Sequence, residues 1–422
     1  MAALKIPDIR FFIGSVAFFT LASRALAVVI GFQIYQITHN ALALGWLGLV
    51  EAIPALSLVL FGGYAADHFN RHKILLVTRA ASCLCAIALA LLSWHTHATS
   101  VMGLYAVIFL AGIARGFADP AGTAFEAQII PKELTVNGAS WISSMWITCS
   151  IAGPGAIGFA FDAWGARGSY LLIAGSFFLS CFWTCLIRPR PQIRPEHQEP
   201  VLKSIASGWH FVFRHQPLWA AMVLDLFAVF FGGAMILLPI YANDILHVGA
   251  KGLGLLNAAP SVGALIITLT ATRHPPIARA GRNLLGAVIG FGVCIILFAF
   301  SKHFWFSMAL LFLSGAFDGI SMVIRRSMVR LLSPDALRGR IAAANWVFIC
   351  ASNELGAFES GLVAAWIGTI PCVAVGGVIT LGIVALLAWI APQLRSLKFD
   401  PRTMEKEIHP PARRDRYGPT DY

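Results

Sequence analysis

Stretches of about twenty apolar residues recur from Phe11 to Ala391, broken only by short polar segments. A helix needs roughly 20 such residues to cross the hydrocarbon core of a bilayer. This repetition restricts the chain to a polytopic α-helical membrane protein. Composition points the same way, with 58% hydrophobic residues, 12% charged residues and a mean hydropathy of +0.75. A soluble domain carries about 25% charge.

The pattern predicts twelve spans, at roughly 11–36, 42–66, 73–94, 101–126, 138–163, 167–187, 217–242, 251–272, 281–300, 303–326, 340–366 and 370–391. An even number puts both termini on one side. Of the 31 lysines and arginines, 26 fall on that side, three on the other (Arg167, Lys251, Lys302), and Arg24 and Arg115 lie inside spans. The positive-inside rule therefore predicts cytoplasmic termini. The same placement explains the net charge of +11 without nucleic acid. Trp46, Trp94, Trp164, Trp305 and Trp366 fall at the predicted outer ends, where indole rings sit among headgroups. The eight cysteines lie in or beside apolar runs and read as small buried hydrophobes rather than disulfides or metal ligands. No metal, cofactor or catalytic constellation is expected.

The longest inner loop divides the spans six and six. Four regions are expected: a six-helix bundle over 1–190; a linker with an amphipathic helix over 191–216; a second bundle over 217–392; and a tail over 393–422. In the linker, Trp209, Phe211 and Val212 interleave with His210 and Arg214, as in a helix lying on a membrane face. A weak internal repeat supports the division. Glu51-Ala52-Ile53-Pro54 matches Asn257-Ala258-Ala259-Pro260 at an offset of 206, and the Gly112–Gly116 segment matches Gly315–Gly319 at 203. Duplicated six-span units are a transporter architecture, with the substrate site between them near the midplane.

Between spans two and three stands GGYAADHFNRHK, residues 62–73. It resembles the loop signature of the major facilitator superfamily, with Gly63, Asp67, Arg71 and Lys73 on the pattern. Asn70 replaces a glycine, and its tolerance of left-handed backbone would preserve a turn there. The resemblance implies a cytoplasmic gate latched by Asp67 and the basic residues; a positively charged inner loop with one capping Asp is the simpler alternative. In span five, SIAGPGAIG resembles the Gly-Pro motif of proton-coupled exporters, with Gly153, Pro154 and Gly158 permitting close packing or a bend. FQIYQITHN, PVLKSIASGWHFVF, RGRI and ELGAFESG make residues 10–392 most similar to the enterobactin-exporter branch. Related branches export macrolides or divalent nickel and cobalt, so the resemblance leaves the substrate open.

An ionisable residue at bilayer depth costs roughly 2.5–3.5 kcal/mol. Arg24, Arg115, Asp225 and Asp318 place one charge on each of spans one, four, seven and ten, the spans that line the cavity in the superfamily fold. Glu51, Asp119, Glu354 and Glu359 are further candidates for the substrate and proton pathway. Arg115 and Asp119 are also spaced to neutralise each other on one helix, Glu51 to bridge helices, and Asp225 to face headgroups. Because the repeat matches Asp318 to Arg115, contact between those two across the cavity is the expected coupling device. With no G-x-x-x-x-G-K-[ST] phosphate loop, a proton-coupled exporter of a small amphipathic or anionic molecule is the leading expectation. A multidrug or macrolide-type pump and an importer are the alternatives. The expected partners are that solute, a proton and the bilayer, and the chain is expected to act as a monomer.

Overall fold

The computed structural model describes residues 3–94, 99–188, 209–232, 234–271, 276–334 and 338–399. The principal helices are α1 (Pro7–Thr38), α2 (Ala41–His68), α3 (Arg71–Leu92), α4 (Val101–Ile129), α5 (Thr135–Cys185), α6 (Gln216–Phe231), α7 (Ala234–Ile240), α8 (Gly249–Ala271), α9 (Ala280–Phe300), α10 (Phe304–Leu332), α11 (Arg338–Ile367), α12 (Thr369–Ile390) and α13 (Pro392–Ser396). Most of the predicted linker, at 191–208, and the tail from 400 onward lie outside the described residues.

Ten segments among the described residues are long and apolar enough to cross a membrane. One of them, Asn137–Cys185, is 49 residues long, enough for two passes at 1.5 Å per residue. Its fold point is Gly165, at φ 65° and ψ −171°, a conformation open to a residue without a Cβ. It separates the predicted spans five and six. The predicted span eleven corresponds to α11, 30 residues long but outside the ten; Asn353, Glu354 and Glu359 lie along it. Helix ends follow local chemistry. Pro7 opens α1, which stops at His39 in left-handed backbone. Asn40 caps α2 by accepting from the Leu42 amide at 2.9 Å, and Ser100 caps α4.

Span seven departs from the expected single helix. It stops at Phe231, resumes at Ala234, and passes into a π-helical turn over Tyr241–Ile245. Gly232, where the helix ends, contributes no side chain to hold helical backbone in place, and a glycine costs about 1 kcal/mol against alanine in a helix.

The helices form two bundles. In the first, α1 and α3 pack on α5, and α4 on α2 and α3. In the second, α8 and α9 pack on α10, α12 on α9, and α6 on α11 and α12. The internal repeat is visible as packing. A Cβ at Gly112 would lie 2.5 Å from the Glu51 carbonyl and 2.7 Å from Pro54. In the second bundle the matched Gly315 abuts the carbonyl of the matched Pro260.

The bundles join along two seams, α2 with α11 and α5 with α8. Gly45 lies against Gly361, and Gly48 against Ala357. Gly158 faces Gly254 and the Ala250 carbonyl. Lys251 pairs with Asp162 at 2.8 Å, Tyr35 donates to Asp244, and Trp46 meets Phe358 edge-on at 5.2 Å. All these contacts lie toward the end opposite the chain termini. The cores repeat the division. One apolar cluster at that end takes in both bundles, with Ile34, Leu44 and Ile157 beside Leu237, Leu253 and Ala364. Toward the termini the core is split, with Phe12, Leu75 and Phe125 in the first bundle and Leu218, Leu284 and Leu387 in the second.

Candidate functional site

Four of the predicted charged residues form one cluster at mid-depth. Arg115 Nη1 donates to Glu51 Oε1 at 2.9 Å and to Glu354 Oε1 at 3.3 Å, while its Nε lies 3.7 Å from Asp119. Glu51 and Asp119 belong to the first bundle and Glu354 to the second, so the guanidinium ties the two together. The cluster stands directly below the α2–α11 seam. Counting helical rise, its residues lie roughly 15–27 Å from the helix ends opposite the termini. The Arg115 side chain remains 39% exposed and Glu354 18%, which leaves the bridge reachable by a solute.

Arg24 lies within electrostatic reach of Arg115, Glu51 and Glu354. Its guanidinium sits 5.2 Å from the centre of the Trp146 ring. Together they border a cavity of about 170 Å³ where spans one, five, seven and eight meet.

A second cluster occupies the second bundle. Arg325 pairs with Asp225 through Nη1 and reaches Asp318 at 3.8 Å through Nη2. The Arg325 and Asp225 side chains are only 11% and 9% exposed, against 48% for Asp318. Asp225 therefore faces a buried arginine rather than headgroups. The expected pairing of Asp318 with Arg115 is not made. The repeat places the two at equal depth, but pseudo-symmetry relates them across the axis between the bundles. Their neighbours are α2 and α11 for Arg115, and α6 for Asp318. Asp225 and Asp318 border a cavity of about 230 Å³ that also reaches the break in span seven. Glu359 stands apart, five residues after Glu354 and 3.4 Å from the Ser360 hydroxyl.

In the loop signature, Arg71 donates to the Ala66 carbonyl at 2.9 Å and the Ala124 carbonyl at 3.2 Å, and lies 3.8 Å from Asp67. Asn70 does not take the left-handed backbone that its place in the pattern suggests. At φ −65° it caps α3, accepting from the Lys73 amide at 3.3 Å. The close approach of α2 to α4 falls on Gly62, which abuts the Gly116 carbonyl, whereas a Cβ at Gly63 would meet nothing within 4 Å. In span five, Gly153 packs on the Leu21 carbonyl and on Arg24 Cβ, while Gly158 and the Pro154 carbonyl form the seam with Gly254.

Two arginines assigned to inner loops and span ends prove to be interior. Arg325 is one. Its sequence signal is the seven-residue spacing from Asp318, two turns along one helix face. Arg79 is the other, 4% exposed, donating to Ser180 Oγ at 2.9 Å and Thr184 Oγ1 at 2.8 Å. Ser15 joins the same group, and His72 pairs with the Thr184 carbonyl at 2.8 Å. Its signal is the serine and threonine spaced four apart in span six. Among the described residues no cluster of histidine, cysteine and carboxylate could hold a metal.

Residues 12–279 match the Major Facilitator Superfamily. The enterobactin exporter EntS of Escherichia coli strain SMS-3-5 is 24% identical over 384 residues, covering 90% of each chain. The EntS of Shigella flexneri is 25% identical over 381 residues, covering 89% of this chain and 90% of its own. Among solved structures, a POT family transporter in complex with 5-aminolevulinic acid superposes with a TM-score of 0.73 at 12% identity, covering 92% of this chain and 96% of its own. The nucleoside transporter NupG gives 0.69 at 13% identity, covering 92% and 100%; at such identities the likeness is one of fold. With its multi-pass helices, paired bundles and matched sequence, the chain belongs to the Major Facilitator Superfamily, a family of transporters rather than enzymes.

Proposed function

We propose that the chain is a proton-coupled exporter of a small amphipathic or anionic molecule, siderophore-like in class, acting as a monomer in a bacterial inner membrane with cytoplasmic termini. The observation that carries this reading is the Arg115 bridge between the bundles. The EntS relatives support the substrate class and the direction.

With cytoplasmic termini, the seams close the molecule on the outside, and the Glu354–Arg115 contact helps hold it closed. Two events release that contact. A proton on Glu354 removes the charge that Arg115 attracts, and an anionic solute competes for the same guanidinium. An unloaded, unprotonated carrier then stays locked, and either ligand frees it to change face. Exchange of a solute for a proton requires this behaviour, because movement of the empty carrier would dissipate the gradient. Asp67 and the basic residues of the loop would latch the inner face when the outer one opens. Bundles 1–190 and 217–392 are the moving bodies on this reading, joined by 191–216.

Inverted membrane vesicles test it with enterobactin as probe. Acidifying the interior should drive enterobactin in, and Glu354→Gln should abolish the dependence on the gradient. Equal accumulation without a gradient would exclude proton coupling. Accumulation confined to right-side-out vesicles would make the protein an importer.

A further inference from the structure

The two central cavities carry opposite charge. The smaller, of about 170 Å³, is bordered by Arg24, Trp146 and Ser150 and, among the described residues, by no carboxylate. The larger, of about 230 Å³, is bordered by Asp225 and Asp318 and, among the described residues, by no cation, while Arg325 pairs with Asp225 and reaches Asp318 from its own helix. Met235 lines both, just past the break in span seven, so the two spaces adjoin. Each holds polar groups left without a strong partner. The Ser150 hydroxyl is buried with no hydrogen bond, and among the described residues no carboxylate pairs with Arg24. Asp318 keeps 48% of its side chain exposed and meets Arg325 only at 3.8 Å. Between these poles the walls are apolar, with Phe291, Ile295, Leu311 and Phe317 in the larger space.

A buried hydroxyl without a partner costs about 1–3 kcal/mol, and beside it stands the exposed Arg24 guanidinium with no carboxylate paired to it among the described residues; both call for an acceptor. The Trp146 ring beside Arg24 offers a face on which a planar group stacks. The opposite pole calls for a donor. We propose that the two cavities form one bipartite site for a dipolar amphiphile, with an anionic aromatic end against Arg24, Ser150 and Trp146 and a cationic end against Asp318. This rests on reading the chain as a small-molecule transporter, and it adds a preference that an anion alone does not satisfy: the ligand binds more tightly when it carries opposite charges at separated ends.

The test uses the purified full-length chain in detergent micelles with no proton gradient, so it is blind to coupling. Ligand-induced thermal stabilisation is titrated with para-(aminomethyl)benzoate, its longer para-(aminobutyl) homologue, para-methylbenzoate and para-methylbenzylamine. One of the dipolar probes should bind about tenfold tighter or more than either singly charged probe. Arg24→Gln should weaken the three benzoates about tenfold and spare the amine, and Asp318→Asn should weaken the amine and both dipolar probes about tenfold and spare para-methylbenzoate. Ser150→Ala, a small change in mid-helix, should weaken the benzoates alone even where Arg24→Gln does not fold. Equal binding of all four, no saturable binding of any, or a Ser150→Ala protein that binds the benzoates unchanged overturns the proposal. Loss of gradient-driven transport with this binding pattern intact would instead count against proton coupling.

Discussion

The first and second bundles each keep an arginine among carboxylates, and they keep it differently. Arg325 is enclosed within its own bundle, with side chains of 11% and 9% exposure facing each other across the Asp225 pair. Arg115 is 39% exposed, and one of its partners, Glu354, belongs to the other bundle. A buried pair is costly to break because its surviving member is left charged and unmatched. A half-exposed pair across an interface is cheap to break and reform, since water or a solute replaces the lost partner. The difference teaches which cluster can take part in a cycle. The Arg325 pair holds a bundle together, and the Arg115 bridge is placed to open and close.

The largest expected effect breaks the enclosed pair. Asp225→Ala should destabilise the protein by about 3–5 kcal/mol by leaving Arg325 buried without its carboxylate. Pairing it with Arg325→Met should restore much of the loss. Thermal unfolding in detergent reads both; a single variant as stable as the parent would mean that water reaches Arg325. The second effect concerns the seams. Gly158→Leu pushes a side chain onto Gly254 and the Ala250 carbonyl, which should cost about 1–3 kcal/mol of overpacking in the closed arrangement alone. Cysteines placed at Asp162 and Lys251 in a cysteine-free background should then cross-link more slowly. Unchanged cross-linking would show that the outer seam tolerates a larger side chain. The third and smallest effect is on the exposed side. Asp119→Asn removes a one-turn contact of 3.7 Å and should cost only about 0.3–0.5 kcal/mol. A loss near that of Asp225→Ala would erase the distinction between the clusters.

The sequence carried much of this fold because the bilayer imposes length and polarity on every span. Gly165 and Asn40 mark helix ends through backbone and capping chemistry that can be read locally. The matched Glu51–Pro54 and Asn257–Pro260 segments pointed to the repeat, and each meets a matched glycine in the structure. Mid-depth charge also singled out Arg24, Glu51, Arg115 and Glu354. Their grouping was not legible, because it depends on α2 lying against α11, and no local pattern encodes that adjacency. Asp318 was paired with Arg115 for want of the same knowledge. Arg79, near the start of span three, counts among the inner-side charges, and nothing local marks it as interior, because hydroxyls rather than a carboxylate compensate it and serines and threonines in apolar helices are common. The break in span seven falls at Gly232, a residue that does not hold helical backbone, but hydropathy averaged over twenty residues passes across it.

The central claim is that the Glu354–Arg115 contact holds the bundles closed at the face opposite the termini until a proton or solute releases it. Its most direct test is the distance between spin labels at Ile37 and Ile367, one in each bundle at that face, measured by pulsed electron–electron resonance in a cysteine-free background. In alkaline buffer the unmodified carrier should show one short distance, and acid should bring up a longer one. Glu354→Gln should show the longer distance at both pH values. A Glu354→Gln protein that keeps the short distance in alkaline buffer and responds to acid as the parent does would contradict the account.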